Sequence, residues 1–113
     1  MHELAITQNV LDIVLEQAEK HNASKITKIN LVVGEMSGVV DECVRFYFEF
    51  LSKDTIASGA TLSFERIPIK AHCNGCDTTF PLAEFHWICP NCQGGNIEVV
   101  AGRELYIDSM ELE

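Results

Sequence analysis

Residues 73–92 read CNGCDTTFPLAEFHWICPNC, and the cysteine pairs at either end of this stretch decide how the chain is organised. Two residues between Cys73 and Cys76, and again between Cys89 and Cys92, let both thiolates of a pair point at one ion. Gly75 gives the first tight turn conformational freedom, and Pro90 fixes φ in the second. Four soft thiolates in a tetrahedral array select zinc, or iron in a rubredoxin-like electron-transfer site. Two disulfides are the other reading, but five cysteines are an odd number, and in a reducing compartment paired C-x-x-C motifs favour metal. A closed all-cysteine site has no open position for water or substrate, so zinc hydrolysis is not expected. Residues 68–101 cannot bury enough apolar surface alone, and metal binding would supply much of their folding energy.

Outward from this module the pattern becomes regular. Leu4, Val10, Leu11, Val14, Leu15 and Ala18 recur at helical spacing up to Lys20, with Asn22 suited to the helix end. Residues 27–33 alternate, with Ile29, Leu31 and Val33 opposite Lys28 and Asn30, and predict a strand. Gly34 and Gly38 bracket a turn. Asp41 is the expected N-cap of a second helix running through Cys43, Val44, Tyr47, Phe48 and Leu51. Phe46 and Phe50 widen its apolar face, so the helix is expected to be well covered and Cys43 to lie in the core. Strands are expected at 61–67 and 104–112. The order implies an α+β fold: a three-stranded sheet with two helices on one face, plus an inserted four-cysteine module resembling a zinc ribbon. The expected domains are 1–67 with 102–113, and 68–101.

Seventeen Asp and Glu against eight Lys and Arg give a net charge of −9. No basic face exists to replace counterions on phosphate, so nucleic acid is not an expected partner. No apolar run is long enough to cross a bilayer, and no signal peptide is visible, so a cytoplasmic protein with no membrane association is expected. No Ser/His/Asp arrangement, acid–base carboxylate pair or phosphate-cradling loop is evident, and the chain is read as a non-enzyme. His21 at the first helix end suits the helix dipole. His72, His86 and Glu35 are read as surface or supporting residues.

The N-terminus carries separate chemistry. A penultimate histidine is too bulky for the usual removal of the initiator methionine. The Met1 amine, the His2 amide nitrogen and His2 Nδ1 can then close adjacent chelate rings. An alternative set is His2 Nδ1 with the amide nitrogens of His2 and Glu3. Either is planar and suits Ni(II) or Cu(II) over zinc. Amides in a first helical turn have no intrahelical partner to lose.

Met1-His2-Glu3-Leu4 opening an amphipathic helix, Gly34-Glu35 after the first strand, and C-x2-C-x12-C-x2-C together resemble the HypA/HybF family over essentially the whole chain. These are nickel metallochaperones of [NiFe] hydrogenase maturation. The resemblance implies Ni(II) carried at His2 with help from Met1 or Glu3, and structural Zn(II) at Cys73, Cys76, Cys89 and Cys92. It further implies delivery to the hydrogenase large-subunit precursor together with a maturation GTPase; another nickel enzyme such as urease is an alternative recipient. The protein is expected to be a monomer or weak homodimer. Some family members carry histidine directly after each C-x-x-C pair, where this chain has Asp77 and Gln93. A histidine-for-cysteine exchange at the zinc is therefore not expected.

Overall fold

A computed structural model of the protein describes residues 2–82 and 87–113. Helix α1 spans Glu3–Lys20 and buries Thr7, Val10, Leu11, Val14 and Ala18, one stripe of a 3.6-residue period. Its end is a Schellman turn: Asn22 adopts φ 53°, its amide donates to Glu19, and the Ala23 amide donates to Ala18. The side chain of Asn tolerates that left-handed conformation, as the sequence suggests.

Strand β1 (Ile26–Gly34) follows, then a single 3-10 turn at Glu35–Ser37, helix α2 (Asp41–Leu51) and strand β2 (Thr61–Ile67). With β6 (Leu105–Leu112) these strands form a sheet in the order β2-β1-β6. Glu113 exchanges backbone hydrogen bonds with Lys25 just before β1, while the Gly34 amide at its far end donates to Glu104. β1 and β6 therefore run in opposite directions. β1 is central, and the side chains of both faces are covered at its end: Leu31, Val32 and Val33 are all buried. The alternation expected there holds only for the half with Lys28 and Asn30.

Helix α1 packs against α2, which departs from expectation on two points. Its N-cap is Val40, in extended conformation, and Asp41 is the first helical residue. Val40 has the cap geometry, with its carbonyl accepting from Cys43 and Val44, and Asp41 and Glu42 instead place charge beside the positive end of the helix dipole. Second, only Val44 and Phe48 are buried in this helix. Phe46 and Phe50 are 69% and 66% exposed, and Cys43 is also exposed.

The cysteine segment contains a second sheet that its short elements concealed. β3 (Lys70–Cys73) lies between β4 (Thr79–Pro81) and β5 (Ile97–Ala101). Both pairings are antiparallel, with Ala71 opposite Phe80 and Val99, and Cys73 opposite Ile97.

Packing divides the chain into two compact units, one comprising 1–32, 38–65 and 106–113, the other 33–37 and 66–105. Within the second, a side chain on Gly34 would run into the Gly102 carbonyl, and Gly102, at φ 114°, lies directly on Ile69. Met36 and Gly34 donate to Gly102 and Glu104 there, so two glycines permit this close backbone approach.

Candidate metal centre

The two cysteine pairs fold into matching knuckles. The Cys73 amide donates to Thr78 and the Asp77 amide returns to the Cys73 carbonyl; Cys89 does the same with Gly94 and Gln93. Asp77 and Gln93, each directly after its pair, hold φ 57° and 61°. That left-handed residue turns the chain back so that both sulfurs of a pair face one point. β3 delivers Cys73, and the turn after it delivers Cys76.

The four sulfurs all lie within 4.8 Å of one another, with Cys73–Cys92 and Cys76–Cys89 at 3.6 Å. A disulfide requires about 2.05 Å, and all five cysteines are free thiols, which removes the disulfide reading. Tetrahedral zinc with Zn–S bonds of about 2.3 Å places its sulfurs about 3.8 Å apart. The donor set and its spacing fit such an ion. Among the described residues this is the only cluster of three or more His, Cys, Asp and Glu side chains able to hold a metal.

The sulfurs are not equivalent. Cys73 and Cys89 are buried, Cys76 is half-buried and Cys92 is exposed. Thr78 Oγ1 lies 3.2 Å from Cys76 Sγ. Asn91 Nδ2 donates both to that hydroxyl, at 3.2 Å, and to the sulfur, at 3.6 Å. With Asn91 filling its lone pair, the hydroxyl proton is free to serve a thiolate. Donation from Thr78 first, then from Asn91, draws the Cys76 thiol down to about 6. For Cys92 the Gly94 amide acts in the same direction, but the neighbouring thiols of Cys73 and Cys76, burial and Cys89 outweigh it and push the group up to about 11. Nearby, His72 bonds Thr79 through Nδ1 at 2.9 Å and faces Asp77 through Nε2 at 3.4 Å; it supports the knuckle from outside the thiolate cluster.

At the other unit's N-terminus, His2 is exposed. It occupies the N-cap position of α1 without a side-chain cap bond, and its carbonyl accepts from Ile6. The imidazole is thus uncommitted to the helix. The Glu3 carboxylate accepts from the Val40 amide at 3.2 Å. Its own amide first, and that of Val40 second, hold its pKa below the ordinary value. This contact was not visible in the sequence, where nothing links the start of α1 to the start of α2. Met1 and His86 lie outside the described residues. Glu35 opens the 3-10 turn and is exposed. His21 caps α1, its Nδ1 2.8 Å from the Gln17 carbonyl.

A small α+β unit and a four-thiolate module carried on one chain define a metal-handling protein. The family model described as hydrogenase/urease nickel incorporation, metallochaperone, hypA matches residues 1–112, and the chain belongs to that family. It is 49% identical over 113 residues to the hydrogenase maturation factor HypA of Dehalococcoides mccartyi strain CBDB1, covering all of this chain and 95% of that one. Against the HypA of Caldanaerobacter subterraneus subsp. tengcongensis, identity is 40% over the full length of both. Among solved structures, the solution structure of a HypA protein superposes with a TM-score of 0.76 at 23% identity, covering 100% and 97% of the two chains. The Ni metallochaperone HypA from Helicobacter pylori superposes at 0.67 and 22%, covering 99% and 97%. These likenesses establish that the fold is shared.

Proposed function

We propose that this protein carries Ni(II) at its N-terminus for the maturation of [NiFe] hydrogenase, with Zn(II) held structurally by Cys73, Cys76, Cys89 and Cys92. The observation that carries the reading is the separation of two chemistries on one chain. His2 stands exposed and uncapped ahead of α1, whereas four cysteine sulfurs gather within 4.8 Å of one another. A cargo site must release its ion, and planar imidazole–amide nitrogen donors suit nickel; a tetrahedral thiolate set suits an ion that stays.

His2 would bind through Nδ1, with the amine of Met1 and the His2 amide, or with the amides of His2 and Glu3. The Glu3 carboxylate, held on the Val40 amide, supplies negative charge against the helix dipole beside the cation. Bound zinc supplies a fixed cross-link between the two knuckles. On this reading the protein is a carrier and not a catalyst. It works in the cytoplasm with a maturation GTPase and the hydrogenase large-subunit precursor, as a monomer or weak homodimer. The two compact units then divide the work, one handling nickel and the other holding zinc.

His2→Gln tests the cargo site without inviting removal of Met1. Calorimetry should show tight nickel binding abolished, metal analysis should show the zinc retained, and the melting temperature should barely change. An N-terminal extension should be as damaging if the Met1 amine is a ligand, and much less so if the Glu3 amide takes its place. Wild-type nickel affinity in His2→Gln would refute the N-terminal site.

A further inference from the structure

The matching knuckles are filled asymmetrically. Superposing them residue for residue pairs Gly75 with Asn91, Cys76 with Cys92, and Thr78 with Gly94. Each knuckle thus contributes one glycine and one hydrogen-bonding side chain, at opposite positions. The consequence is geometric. Thr78 of the first knuckle and Asn91 of the second meet at Cys76, where Asn91 Nδ2 reaches both the Thr78 hydroxyl and the sulfur across the gap between knuckles. The backbone amide of Asn91 also donates to Cys89 Sγ at 3.4 Å. At the equivalent corner, Cys92, the counterpart of Thr78 is Gly94, where an added side chain would come within 3.3 Å of the sulfur, and the counterpart of Asn91 is Gly75, which lies against Cys73 Sγ. Gly94 offers this sulfur its backbone amide but no side chain, and Cys92 is exposed.

We propose that Thr78 and Asn91 are positioning residues that clasp the Cys76 corner shut, so that the metal site opens and is attacked by electrophiles at Cys92 first. Hydrogen bonds to a metal-bound thiolate withdraw charge from the sulfur, lowering its nucleophilicity and holding it in place. Cys92 lacks side-chain donors from either knuckle at the corner where Cys76 has two, and it has the freest access to solvent. Buried Cys73 and Cys89 are shielded by position. The order of ligand loss is therefore written into the exchange of Gly75 and Gly94 for Asn91 and Thr78.

This rests on the four-thiolate metal reading above, which the zinc content of the starting protein checks on its own. The test uses zinc-loaded full-length protein in a Cys43→Ser background, treated with limiting N-ethylmaleimide. The sulfur adds across the maleimide double bond, water supplying the proton, and the first adduct is located by peptide mass spectrometry. Cys92 should be modified about tenfold faster than Cys76, the ratio expected from one charge-assisted hydrogen bond. Thr78→Val and Asn91→Ala should bring the two rates together, while Thr78→Ser should keep them apart. In cobalt-loaded protein, losing a donor to Cys76 should move the thiolate-to-cobalt charge-transfer band to lower energy in Thr78→Val and not in Thr78→Ser. A first adduct on Cys73, Cys76 or Cys89 would overturn the proposal, as would an unchanged ratio in both variants. If neither variant takes up cobalt, the order of modification in the wild-type metal site decides alone.

Discussion

Glu3 shows how much one residue near an end can do. Its carboxylate accepts from its own amide and from Val40, the residue that caps α2, and its pKa is lowered. A lowered value means that the tie is complete above the ordinary carboxylate pKa and is lost as pH falls through the folded one. The Val40 amide resonance should therefore shift with pH, its midpoint below that of a free glutamate, and the shift should vanish in Glu3→Gln. Such long-range partners are what the sequence conceals. The four cysteines were legible because two intervening residues impose local geometry whatever surrounds them. Asn91 could be read as part of a C-x-x-C turn, but not as a donor to Cys76, because that contact exists only after the second knuckle folds over the first.

At the scale of elements, α2 is where patterning misleads. Cys43, Val44, Phe46, Tyr47, Phe48, Phe50 and Leu51 surround most of the helix with apolar side chains, so periodicity establishes a helix without saying which arc is inside. The structure buries the arc of Val44 and Phe48 and leaves Phe50 open, with the Lys53 ammonium 6.0 Å from its ring centre. Urea denaturation should separate the two: Phe48→Ala should cost about 3–5 kcal/mol through lost burial and an unfilled cavity, and Phe50→Ala no more than about 0.5 kcal/mol. Both helices and all three strands of the β2-β1-β6 sheet were legible from their length and composition, although adjacent Leu105, Tyr106 and Ile107 muddle the alternation of β6. Strands β3 and β4, of four and three residues, are too short to display an alternation, so the second sheet was not.

For the molecule as a whole, the decisive contrast lies between the two cores. The unit containing α1 and α2 buries ordinary aliphatic and aromatic side chains. The core of the cysteine unit consists of Ala71, Cys73, Phe80 and Cys89, with Cys76, Leu82 and Ile97 against it. The four cysteines that could hold a metal are themselves much of that core, so on the proposed assignment removing the ion would remove its cohesion. If the proposed zinc site is right, Cys73→Ser should abolish zinc binding and collapse proton NMR dispersion for residues 66–105, while 2–32 and 38–65 keep native-like shifts; retained dispersion in a zinc-free 66–105 would show that the metal is dispensable for folding. The left-handed backbone at Asp77 and Gln93 has a consequence over evolutionary time. Valine, isoleucine and threonine are strained in that conformation, whereas asparagine, aspartate, histidine and glycine enter it readily. Drift at these two positions is thus filtered by sterics against β-branched residues, while unbranched ones such as Gln93 are accommodated, and aspartate and histidine among those that remain are themselves metal-binding. Lineages descending from such a fold sample new ligands beside the thiolates at almost no cost to the backbone, simply by wandering within what the turn allows.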